Sequence, residues 1–131
     1  MILLHLTANT GPAECCLAVQ HALKALTREG ARSGVKVKVL EERAGPVDGT
    51  LNSVLLGLKS KEENTPARHL AENWSGTLQW ICESPYRPGH ARKNWFINGT
   101  VQDALPGAIQ LPQAPRRTFV GKSFLEAQPS N

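Results

Sequence analysis

The residues with the most chemistry to offer lie in one run, Gly76-Thr-Leu-Gln-Trp-Ile-Cys-Glu-Ser-Pro-Tyr-Arg-Pro-Gly-His-Ala-Arg-Lys-Asn-Trp-Phe96. At its centre Ser84, Pro85, Tyr86, Arg87 and Pro88 combine a hydroxyl, an aromatic ring and a cation at a corner stiffened by two prolines. Proline fixes its own φ, so such a corner has little freedom to lose when it binds something. A serine hydroxyl can donate to or accept from a base edge, and a phenol ring can stack on an unpaired base. Arg87, Arg92 and Lys93 would neutralise phosphates, with His90 and Asn94 beside them. The same residues also describe a plain surface loop whose charges only confer solubility. On chemistry alone both readings stay open.

Other chemistry is thin. His5, His21, His69 and His90 have no metal-ligand spacing. Cys15 and Cys16 are adjacent, Cys82 is distant, and no C-x-x-C pair exists, so neither a disulfide framework nor a zinc site is expected. A cysteine near a helix start can have a lowered thiol pKa, but the apolar neighbours of Cys15 and Cys16 favour packing. Thr10-Gly11-Pro12 is a helix entry and not a phosphate loop. No cofactor is expected.

Charge is unevenly spread over the 131 residues. Residues 1–85 hold nine Lys/Arg and nine Asp/Glu, whereas residues 86–131 hold six basic and two acidic groups, the whole net charge of +4. That is the distribution expected where one surface faces a polyanion. Met1-Ile-Leu-Leu-His-Leu is too short for a signal peptide, and no run approaches the roughly 20 apolar residues of a membrane span. With its odd cysteine count the chain is expected to be cytoplasmic, with no membrane partner.

The elements that must position the central run can be read from periodicity. Ile2 to Leu6 predicts a buried strand. Pro12 opens a helix carrying Glu14 in its first turn, where the helix dipole favours an acid. Cys16, Val19, Leu23 and Leu26 give that helix an apolar stripe, and Gly30 marks its expected end. Val35 to Val39 alternates with lysines, predicting a strand with one buried valine face. Ser53 to Leu58 predicts a third strand, the alternative being a bulge or a broken short helix at Gly57. Pro66 starts a short helix, Thr77 to Cys82 alternates, and Asn94 to Ile97 returns, so that residues 83–93 connect an antiparallel pair. After Asn98, prolines at 106, 112, 115 and 129 interrupt every pattern, predicting an irregular tail. The order β-α-β-β-(α)-β-β predicts an α+β two-layer sandwich, a long helix on a largely antiparallel sheet.

The central run resembles the codon-recognition hairpin of bacterial class I peptide chain release factors. There a glycine-led strand runs into Ser-Pro-Phe, then through a basic turn into His-Thr-Ser-Phe. Ser84-Pro85-Tyr86 matches the tripeptide, and Arg87 to Phe96 matches the basic turn and returning strand without a gap. The Gly-Thr-Leu-Gln-Trp-Ile-Cys and Arg-Lys-Asn-Trp-Phe runs are similar to the branch called release factor H, which looks like a release factor without its N-terminal domain. The resemblance covers residues 1–97, taken as the decoding domain, and leaves 98–131 as the tail. It implies a monomer that binds the ribosomal A site, at the decoding centre of the small-subunit rRNA and the mRNA. The contact residues implied are Ser84, Pro85, Tyr86, Arg87, His90, Arg92, Lys93 and Asn94.

Two departures shape the expectation. Lys93 stands where stop-codon readers place a stacking histidine, and Asn94 replaces the next threonine. Imidazole stacks on a base and ammonium does not, which argues against ordinary stop-codon reading. The branch resembled implies action on stalled ribosomes with a damaged decoding centre, beside an RNA ligase that repairs the break. His90 is a candidate substitute, against a solvated loop histidine. Further, the sequence contains no Gly-Gly-Gln, the tripeptide with which the family triggers peptidyl-tRNA hydrolysis. The expectation is a truncated reader that is not an enzyme, with an incomplete sheet and an exposed edge. The alternative is a stand-alone small RNA-binding or regulatory module.

Overall fold

The computed structural model describes residues 1–61, 63–102 and 117–120. Strand β1 (Ile2–Thr7) buries Ile2, Leu4 and Leu6 and turns Leu3, His5 and Thr7 the other way. Helix α1 (Ala13–Ser33) starts behind Pro12, whose carbonyl accepts the Cys15 and Cys16 amides at 2.8 and 3.3 Å. It runs past the expected stop at Gly30 and ends at Gly34, whose φ of 75° is the left-handed geometry of a helix terminator. Gly30 serves close approach instead: a Cβ there would lie 2.9 Å from the Val35 carbonyl oxygen.

Strands β2 (Val35–Ala44) and β3 (Leu51–Ser60) form a long hairpin, and α2 (Thr65–Asn73) follows with Pro66 in its first turn. β4 (Gly76–Ile81), β5 (Asn94–Val101) and β6 (Arg117–Val120) complete a sheet of order β2-β3-β1-β5-β4-β6. All pairings are antiparallel except β4 with β6, which is parallel. α1 and α2 pack on one face, against Leu4, Leu6, Leu56, Leu58 and Leu78. Each such leucine contributes about 1.5–3 kcal/mol by leaving water. Trp74, Trp80 and Trp95 are the largest fully buried side chains. The two-layer α+β sandwich is therefore the observed fold.

Two local expectations are corrected. Val35 is buried but Val37 only partly, and Val39 is 42% exposed, because β2 is the outer strand and its inner face is not covered along its whole length. A bulge between Val39 and Glu41 interrupts this exposed edge, a device that discourages further strand pairing. Gly57 lies in a regular strand, as the strand reading of Ser53 to Leu58 has it, paired with Leu3 and Lys38. The irregular tail does not begin at Asn98, since Asn98 to Val101 pair with β1, which needs a second neighbour. Within the tail, Arg117–Val120 forms β6, and Phe119 packs edge-on to Trp74 and stacks beside Trp80, at centroid distances of 5.6 and 6.3 Å. Residues 103–116 and 121–131, also expected to be irregular, lie outside the described residues.

Strand directions set two opposite poles. β4 and β5 place the loop 82–93 at the end of the sheet where α1 begins, while β2 starts and β3 finishes at the other end.

Candidate RNA interface at the hairpin loop

The loop is closed at its base by the Cys82 amide donating to the Lys93 carbonyl at 2.9 Å. Trp95, wholly buried on β5, donates its indole N–H to the Cys82 carbonyl at 2.8 Å, so the ring pins both ends of the loop. Arg92 lies over the Trp95 ring at 4.6 Å and Arg87 at 5.7 Å, with His90 tilted against it at 6.1 Å. Cation–π contacts of this kind orient guanidinium groups without neutralising them.

The corner itself is organised around Glu14, only 2% exposed in the first turn of α1. Ser84 donates its hydroxyl proton to Glu14 Oε2 at 2.6 Å and accepts the amides of Tyr86 and Arg87 at 3.1 Å each. Arg87 Nε donates to the same carboxylate oxygen at 2.7 Å. Burial would raise the carboxyl's pKa, but the hydrogen bonds from Arg87 and Ser84, its own backbone amide and the Arg87 charge outweigh it and hold the group below its ordinary range. The same hydrogen bond raises the Arg87 pKa. Glu14 thus fastens the loop to the helix.

This geometry separates the expected contact residues. The Ser84 hydroxyl has one proton and two acceptor positions, and all three are used inside the protein, where they shape the turn. Tyr86 is half-buried; desolvation, Glu14 and Cys16 raise its pKa and keep it a neutral phenol. Pro85 is likewise half-buried. His90 is not a freely solvated ring, since it rests on Trp95 and its Nδ1 accepts the Arg92 amide at 3.1 Å. Arg92, Lys93 and Asn94 are exposed. Arg92 also donates to the Asn94 carbonyl at 2.8 Å, Asn94 accepts from the Gln79 amide at 2.9 Å, and Lys93 lies 3.7 Å from Glu83 in a solvent-exposed ion pair.

Two residues were invisible as site residues in the sequence. Glu14 reads as a dipole-complementing acid, and only its position 70 residues from Ser84 in sequence yet 2.6 Å in space makes it the anchor. Trp95 reads as a core aromatic, with no signal that three loop side chains would gather on it. The thiols follow the packing reading: all three cysteines are buried, and desolvation raises Cys15 and pushes Cys82 up to about 11. Among the described residues no His/Cys/Asp/Glu group could hold a metal, and no helix is long and apolar enough to cross a membrane.

No family model matches the chain. A peptide chain release factor homolog of Escherichia coli is 52% identical over 97 residues, 74% of this chain and 46% of the relative. Over those 97 residues the chain is similar to that peptide chain release factor homolog. It spans just under half the length of the relative it matches. RF2 of Thermus thermophilus superposes with a TM-score of 0.66 over 87% of this chain and 31% of that one, at 20% identity, which speaks to the fold alone. The α+β sandwich is thus a fold shared with a release factor.

Proposed function

We propose that this chain serves translation termination or ribosome rescue, docking in the ribosomal A site by the loop 82–93. The observation that carries the proposal is a rigid loop, clamped internally by Glu14, that turns Arg92, Lys93 and Asn94 outward on a release-factor fold. Arg92 and Lys93 supply phosphate contacts with the small-subunit rRNA or mRNA. His90, Tyr86 and Pro85 are the loop's half-buried stacking surface. Arg87, Ser84 and Glu14 hold that surface in place. The proposal includes binding without release of peptide, on the ground that the 131 residues contain no Gly-Gly-Gln. It acts in a cytoplasmic setting as a monomer, and a functional link to an RNA ligase accords with a damaged decoding centre as its target.

Co-sedimentation with intact and decoding-centre-cleaved ribosomes tests this. Wild type should pellet with ribosomes, and Arg92→Ala combined with Lys93→Ala should not. Absence of wild-type association with either ribosome would refute the placement. Release of peptide from ribosome-bound peptidyl-tRNA by the purified chain would refute binding without hydrolysis.

A further inference from the structure

The pole opposite the loop carries a second concentration of positive charge. Lys36 and Lys59 sit directly opposite each other in the β2–β3 register. Lys38, two residues along β2, shares their face, and Lys61 follows the end of β3. All four are exposed, and among the described residues none takes part in an ion pair. Like charges directly opposite on neighbouring strands repel, and a bridging anion removes that repulsion. The same corner holds a cleft of about 740 Å³ lined by Lys36, Lys59 and Lys61, with Val35 and Val37 among its apolar walls. Along the ten residues of β2, at about 3.3 Å each, the pole lies on the order of 30 Å from the hairpin end.

We propose that Lys36, Lys38, Lys59 and Lys61 form a second phosphate-binding surface, at the pole opposite the hairpin loop, that grips the backbone of an RNA duplex. The inference rests on the reading that the chain works against RNA, and adds that it bridges two RNA elements. Four ammonium groups with no aromatic partner among the described residues suit phosphates and not bases: the patch is sequence-indifferent, and its binding is steeply salt-dependent.

The test is fluorescence anisotropy of the full chain with a short labelled RNA duplex across a salt series. Replacing all four lysines by glutamine should weaken binding about tenfold at low salt and flatten the plot of log affinity against log salt by roughly 2 to 4, near 0.9 for each phosphate no longer neutralised. Arg92→Gln with Lys93→Gln should leave that lysine-dependent part of the slope in place. Urea midpoints report whether the quadruple variant is folded; if it is not, Lys36→Gln and Lys59→Gln singly should each flatten the slope by about 0.9. A slope and affinity unchanged in folded variants would overturn the proposal. So would loss of binding to phosphatidylserine vesicles with duplex binding unmoved, which would mark a lipid-facing patch. Lysine-dependent duplex binding without ribosome co-sedimentation would uphold this surface while refuting A-site docking. Ribosome association with lysine-independent duplex binding would do the reverse.

Discussion

Replacing Ser84 by alanine isolates the hydrogen bond on which the loop depends. The 2.6 Å bond from the hydroxyl to Glu14 is buried and ends on a carboxylate. Hydrogen bonds to charged groups contribute about 1.5–3 kcal/mol, and removing one partner leaves the other's desolvation uncompensated. The two amides accepted by the same oxygen lie in a part-buried turn that water can reach, so they add less. The expected destabilisation is about 2–3 kcal/mol at neutral pH, roughly 30-fold to 160-fold in the folding equilibrium. The pH dependence supplies an independent check. Glu14's folded pKa is depressed, so its stabilisation is present above the unfolded carboxylate pKa and lost as pH falls through the folded value. Without the Ser84 proton the depression shrinks, and the gap between variant and wild type should narrow as the pH drops through the carboxylate range. Urea unfolding followed by tryptophan fluorescence, at neutral and acid pH, measures both quantities. A destabilisation below about 0.5 kcal/mol with an unchanged acid profile would show that the hydroxyl is not engaged with Glu14, and would return Ser84 to the role of a base reader.

Other substitutions probe the remaining supports. Gly99→Ala should destabilise the fold by about 1–3 kcal/mol or more, because its Cβ would collide with the Trp74 backbone carbonyl, and the cost is read as a fall in melting temperature. His21 stacks on Trp80 at 5.1 Å and its pKa is lowered to about 4, by burial first and then Lys24. It is neutral when folded and charges more readily when unfolded, so it should drain about 3 kcal/mol of stability as pH falls from 6.5 to 4, and His21→Phe should flatten that window in acid unfolding curves. Phe119→Ala should cost about 1–3 kcal/mol in urea unfolding, less than a fully buried Phe, by undoing the packing of β6 on Trp74 and Trp80.

Much of the architecture was legible because local pattern and burial agree along most of the chain. The alternations at Ile2 to Leu6 and Thr77 to Cys82 each put one set of side chains inward, and the observed burial matches them. The expected end of α1 failed because glycine has two uses, and Gly30 meets the carbonyl of Val35 from the next element. β6 could not be foreseen, since a four-residue segment carries almost no periodic signal and gains its place from two tryptophans far away in sequence.

By itself the sequence determined the class of fold, the hairpin and the identity of its loop residues, since periodicity, prolines and the Ser84-Pro85-Tyr86 motif are local properties of the chain. Which of those residues face outward was decided by tertiary structure alone. Ser84 points inward because a carboxylate buried in the first turn of α1 must be paired, and the nearest proton is the serine's. Arg87 is drawn to the same oxygen, leaving Arg92 and Lys93 as the outward cations. The second basic pole has the same origin: Lys36 and Lys59 are distant in sequence, and only the β2–β3 register makes them neighbours.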